Sequence, residues 1–188
     1  MEKDLKKTVL QKPTNKDVAF ASGKTVPDII APNLKILFCG INPGLYSGAV
    51  GHHFARPGNR FWTTLYAAGF TCRQLAPNEG FLLLEKGYGI TNLVKRASLG
   101  EKDLTREELI EGGKRLVAKI KKYTPAVIAF LGIGAFRKAF NTPQAKVGLQ
   151  EENIAGAKVW ILPNPSGLNA NYTPKALVAI FEKLRLSS

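Results

Sequence analysis

The sequence predicts an α/β protein, a three-layer α/β/α sandwich around a central, mainly parallel four-stranded sheet. Three observations carry that prediction. Short apolar runs such as Ile36-Leu37-Phe38-Cys39 and Val159-Trp160-Ile161-Leu162 have the length and unbroken hydrophobicity of strands buried on both faces. Segments with helical signals separate them, as parallel neighbours require. Polar loops rich in glycine and proline follow the first and last of these runs, at the strand ends where ligand sites of such sheets collect.

Residues 1–28 mix lysine with acids, Thr, Asn, Gly and Pro without sustained periodicity, and are expected to form a flexible basic arm ahead of a domain spanning 29–188. A first strand is expected at 35–39, then a loop over 40–58. A helix over 59–68 follows, with Phe61, Trp62, Leu65 and Tyr66 on its apolar face and Gly69 ending it. A short helix near 77–85 leads to a second strand in 88–94. Thr105 with Glu108 three residues later forms a capping box, and Leu109, Leu116 and Ile120 carry an apolar stripe to Tyr123 before Pro125. The Lys119, Lys121, Lys122 run at this helix end reads as a solvated face. A third buried strand over 125–131, a helix near 135–140, a fourth strand at 159–162 and a helix over 174–184 opened by proline complete the chain.

A chain of 188 residues supports one domain with a substantial core. Its 27 lysines and arginines against 14 acids leave a formal charge of +13, which points to a polyanionic partner, nucleic acid first. No apolar run is long enough to span a bilayer and no signal-type segment follows Met1, so a soluble cytoplasmic protein is expected. Cys39 and Cys72 lie in no CxxC or Cys/His spacing, read as buried free thiols, and are too few for a four-cysteine iron–sulfur cluster. The adjacent His52 and His53 are poorly placed for joint ligation, so neither metal nor cofactor is expected.

Two loops carry the chemistry. Gly40-Ile41-Asn42-Pro43-Gly44 forces a tight turn that presents Asn42 at the sheet edge, although turn chemistry alone also accounts for an Asn-Pro pair. Neither GxxxxGK[ST] nor a correctly spaced GxGxxG is present, which weakens a phosphate cradle. In Asn164-Pro165-Ser166-Gly167-Leu168-Asn169, an apolar Leu168 stands in a polar turn. It either folds back on the core or acts as a wedge between bases, as enzymes that extrude a nucleotide require.

The segment ILFCGINPGLYSGAVGHHFARPGNRFW at residues 36–62, together with YGITNLV and NPSGLN, resembles the mismatch-specific uracil-DNA and thymine-DNA glycosylase family of the uracil-DNA glycosylase superfamily. The resemblance spans residues 29–184 and leaves the arm outside. It implies a monofunctional, monomeric DNA glycosylase of base excision repair that acts on double-stranded DNA. Such an enzyme removes uracil, preferentially from G·U mispairs, by base flipping, and leaves an abasic site.

The resemblance places catalysis on Asn42, whose carbonyl would hold the attacking water. Backbone N–H groups near Ile41 and residues 44–47 would receive the charge of the departing base. It implies that Phe54 stacks on uracil, that His53, Asn92 and Asn164 join it around the base, and that Ser47 at the rim decides whether the methyl of thymine fits, uracil being preferred. Some relatives carry an acid where Asn92 stands, so turnover here should be modest. Gly167, Leu168 and Asn169 match the wedge loop. Ser166, Arg60, Lys95 and Arg96 are candidates for phosphate contacts. Some bacterial relatives have Arg where Ala170 stands, which leaves strict dependence on the opposing guanine open. A non-catalytic nucleic-acid-binding domain is the main alternative, and an anion cradle at residues 40–44 the third.

Overall fold

A computed structural model of the protein describes residues 12–188. Residues 1–11 of the expected arm lie outside the described residues. The apolar runs form strands whose successive side chains enter two different cores, which is why they are apolar throughout. β1 (Ile36–Gly40) pairs in parallel with β2 (Tyr88–Asn92) on one side and with β3 (Val127–Leu131) on the other. β5 (Lys158–Leu162) continues the parallel set, and β4 (Gly148–Leu149) lies antiparallel at its edge. The order is β2-β1-β3-β5-β4. The sheet therefore has five strands, not the four expected, because a two-residue edge strand is too short to show any period in the sequence.

Leu37, Cys39, Ile128, Phe130, Val159 and Ile161 face a core closed by Leu109, Leu116 and Ile120 of α4 (Arg106–Tyr123) and Phe136 of α5 (Ile133–Phe140). Ile36, Phe38, Ile90, Ala129, Trp160 and Leu162 face the other. Phe61, Trp62 and Leu65 of α3 (Phe61–Ala67) and Phe181 and Leu184 of α6 (Pro174–Leu186) close that side. Both faces are covered, as the sandwich requires.

Thr105 caps α4 as expected: its Oγ1 accepts from the Glu108 N–H at 3.1 Å, and the Glu108 carboxylate accepts from the Thr105 N–H at 2.9 Å. The region expected to be an irregular loop contains α2 (Leu45–Val50), whose six residues, two of them Gly and Ser, show no helical period. Residues Pro77–Lys86 wind as 3-10 turns. Cys39 is buried, but Cys72 lies exposed in the turn after α3 instead of buried as expected. No helix of the described residues is long and apolar enough to cross a membrane.

Within the arm segment, residues 12–28 carry a short capped helix, α1 (Asn15–Ala19), and then pack on the body. Ala21 is fully buried, and residues 23–24 exchange backbone bonds with Ala97. Ile29 exchanges two more with Ile90, at 2.9 and 2.7 Å. The Asp28 carboxylate takes the Lys119 ammonium at 2.5 Å and the Thr91 hydroxyl at 2.8 Å. Lys119, read from the sequence as part of a solvated run, is thus held in a partly buried ion pair beneath β2.

Phe38 is fully buried, with the rings of Phe61 and Phe70 edge-on at 5.5 and 5.6 Å and Phe181 stacked at 6.2 Å. Phe38→Ala should cost about 3–5 kcal/mol of unfolding free energy, read from the urea midpoint at unchanged slope. A loss under about 1 kcal/mol would contradict the packing described.

Candidate active site

Gly40 is in register with Asn92, and Leu131 with Leu162, so the loops that follow these strands open at one edge of the sheet. There they surround a cleft of about 650 Å³. Of the residues singled out from the sequence, Ile41, Asn42, Ser47, His53, Phe54 and Asn92 line it from the first two strand ends. Asn164, Ser166, Leu168 and Asn169 line it from the last. Gly167, Arg60 and Lys95 do not.

Asn42 is fixed by its nitrogen. Its Nδ2 donates to the Pro43 carbonyl at 3.0 Å and to Ser98 Oγ at 2.9 Å, with the Arg96 carbonyl at 3.4 Å. Ser98 is buried and its hydroxyl donates to the Gly100 carbonyl at 2.9 Å, so its oxygen can only accept from Asn42. No protein donor among the described residues bonds Asn42 Oδ1, which is left to serve a group in the cleft. Nothing in the sequence marked Ser98, because its partner lies 56 positions away.

The loop that carries Ser98 is itself anchored. The Arg96 guanidinium meets the Glu108 carboxylate side-on, at 2.5 and 2.7 Å, and donates to the Asp103 carbonyl at 2.9 Å. These bonds hold the Glu108 carboxyl down at about 2. They also commit Arg96, a candidate phosphate contact, to the protein.

One end of the cleft is built from Phe54, His53 and Asn92. Phe54 adopts a left-handed φ of 52°, a costly conformation for an aromatic residue. One face of its ring stacks on Phe61 at 4.1 Å. Ser47, expected at the rim, is buried, and its hydroxyl accepts the Ala55 N–H at 3.1 Å, which pins the turn that presents Phe54. His53 is buried, and burial holds its pKa below the ordinary value. The backbone of Gly40 runs beneath: a Cβ there would stand 2.5 Å from Asn92 Oδ1 and 3.2 Å from Phe54 Cζ, so only glycine leaves this floor open.

The loop over residues 164–169 is tied down below and bare on top. Arg60 donates to the carbonyls of Tyr172, Ser166 and Asn169 at 2.7, 2.8 and 2.9 Å. It ties the loop to the start of α3. Asn164 Oδ1 accepts the Ser166 N–H, and Asn169 Nδ2 returns to the Asn164 carbonyl, both at 3.0 Å. Gly167 packs so closely on the Gly58 carbonyl that a Cβ would collide with it. Leu168 at the tip is 76% exposed and does not fold back on the core.

Lys95 is exposed away from the cleft. Arg56 and Lys102, which no sequence motif singles out, lie on the cleft wall with a second exposed leucine, Leu99. Among the described residues no group of three His, Cys, Asp or Glu is placed to hold a metal ion.

These features define an α/β protein with a glycine-floored cleft at the carboxyl edge of its sheet, lined by asparagines and Phe54, and a basic, leucine-tipped rim. Residues 27–185 match the model of the Uracil DNA glycosylase superfamily, and the chain belongs to that superfamily. A solution NMR structure of a "putative Uracil DNA glycosylase" from Methanosarcina acetivorans superposes with a TM-score of 0.55 at 18% identity. The match covers 87% of this chain and 98% of that one, and at this identity it bears on the fold.

The Glu108 carboxyl titrates lower in the folded protein than its ordinary 4.5, so its bond to Arg96 stabilises fully above that value and is lost as pH falls toward about 2. The melting temperature of Glu108→Gln should therefore lie below that of the wild type at pH 6, and the gap should close between pH 4.5 and 2. A gap independent of pH would contradict this.

Proposed function

We propose that the protein is a uracil-DNA glycosylase of the mismatch-specific type, acting as a monomer on double-stranded DNA and preferring G·U mispairs. The observation that carries this is the orientation of Asn42, whose Nδ2 is consumed by Pro43 and Ser98 while its Oδ1 is left to the cleft. An extruded deoxyuridine would stack its base on Phe54, with Asn92 at the edge of the ring, and set its sugar over Asn42. The bond between C1′ and the base breaks first, its electron pair leaving with uracil toward backbone N–H groups near Ile41.

Water held on Asn42 Oδ1 then adds to the cationic sugar carbon, and the proton it loses goes to the departed uracil anion, completing the abasic site. An amide is too weak a base to deprotonate water first, so its contribution is placement. Leu168 would fill the gap left in the duplex, and Arg56 and Lys102 would face phosphates. The charge of +13 and the rigid, exposed wedge loop support a DNA substrate.

Single-turnover assays on duplexes with G·U, A·U or G·T, and on single-stranded U, test this. Uracil release should be fastest from G·U, and thymine release should be slow. Asn42→Ala should lose at least ~100-fold in rate with duplex binding retained. Ser98→Ala frees the Asn42 amide to turn and should cost roughly 10-fold. Salt-dependent binding with no base released from any substrate would overturn the proposal in favour of a non-catalytic DNA-binding domain.

Charge removal at the rim gives a second check. Arg56→Gln and Lys102→Gln should each weaken binding to all duplexes alike and lower the salt slope by about 1. Unchanged slopes would remove these residues from the interface.

A further inference from the structure

His53 stands between the segment that precedes β1 and the amide at the base end of the cleft. Its ring is 3% exposed, its Nε2 lies 2.9 Å from the Pro27 carbonyl oxygen, and its Nδ1 lies 3.2 Å from Asn92 Nδ2. A carbonyl has no proton to give, so the hydrogen of the neutral ring sits on Nε2. Nδ1 is then an acceptor and takes an N–H of Asn92. Burial favours this neutral form, with the Pro27 carbonyl and Asp28 acting against it and Lys119 and His52 with it.

The Pro27 carbonyl is itself held in place. Asp28 is tied to Lys119 and Thr91, and Ile29 is bonded in both directions to Ile90. These contacts run from the segment before the first strand to α4 and β2, so the acceptor of His53 is part of the rigid body.

The Asn92 amide consequently cannot turn end for end. Doing so would set Oδ1 against the Nδ1 lone pair, two acceptors in a buried place, and would leave the Nδ2 hydrogen without its partner. The amide is fixed with Nδ2 toward His53 and Oδ1 over Gly40, beside the Phe54 ring. A base stacked on Phe54 therefore meets one N–H donor and one carbonyl acceptor in a set order. Uracil presents an acceptor at O4 and a donor at N3. Cytosine presents the reverse, an amino donor at C4 and an acceptor at N3.

Resting on the proposed uracil excision, we infer that His53, held by the Pro27 carbonyl, is the positioning residue that fixes the Asn92 amide and so makes the cleft accept uracil and reject cytosine. It acts through Asn92 and need not touch the base. The segment before β1, which composition alone marks as an arm, thereby contributes to substrate choice.

The test compares single-turnover release of uracil and of cytosine from otherwise identical duplexes, each opposite thymine, where neither forms a Watson–Crick pair. Nitrogen-15 NMR of the wild-type histidines is recorded in parallel. Wild type should favour uracil strongly, and His53→Ala should lower the uracil-to-cytosine ratio by roughly 10–100-fold while duplex binding holds. The NMR should find the His53 proton on Nε2 at neutral pH, a readout that stands even if the variant fails to fold.

Equal slowing on both bases in His53→Ala, or a ring protonated on Nδ1, would overturn the inference and leave uracil excision intact. A wild-type protein that releases no uracil at all would overturn the proposed function and this inference with it.

Discussion

An amide side chain can place a water or recognise a base edge only when its two ends are prevented from exchanging. Oxygen and nitrogen differ little in size, and half a turn about one bond swaps a donor for an acceptor. Two asparagines at the carboxyl edge of this sheet meet that requirement in the same way. Asn42 has its nitrogen bonded into the loop behind it through Pro43 and Ser98, and Asn92 has its nitrogen bonded to His53. Much of the surrounding architecture serves these anchors. The Arg96–Glu108 pair ties the Ser98 loop to the start of α4, and the Asp28–Lys119 pair holds the Pro27 carbonyl that sets the His53 ring. Strands buried on both faces supply the fixed frame from which both asparagines project.

The opposite wall of the cleft follows another rule: it is rigid in its backbone and unprotected at its tip. Arg60 uses one guanidinium on three carbonyls of the segment 166–172, charge-assisted bonds that favour a single loop conformation. That leaves Leu168 exposed without leaving it loose. An apolar side chain held in water by such scaffolding fits a residue that meets its partner only when a duplex arrives.

Elements with a strong local signal were legible in the sequence. The α4 helix announced itself through Thr105, Glu108 and an apolar stripe, and β1, β3 and β5 through apolar runs that both layers bury. α1, α2 and β4 were not, since five, six and two residues are too few for a period to emerge. At the site, the motif residues around Asn42, Phe54, Asn92 and Leu168 do converge on one cleft. What escaped notice was everything that acts across long separations or through backbone atoms. Ser98 is an ordinary loop serine until Asn42 folds onto it, and the Pro27 carbonyl carries no side-chain signature at all. Arg60 shows the converse limit: the sequence supplies a cation near the glycine-rich loops, but only the fold reveals that carbonyls of the protein itself take up its charge.

The most direct test of this account is a crystal structure with a duplex carrying 2′-fluoro-2′-deoxyuridine opposite guanine, a substrate whose glycosidic bond resists cleavage. The account predicts an extruded nucleotide with uracil stacked on Phe54, its edge on Asn92, and a water on Asn42 Oδ1 aimed at C1′, with Leu168 in the vacated stack. A uridine still stacked in an undistorted duplex, or a base bound with Asn42 turned away from the sugar, would contradict it.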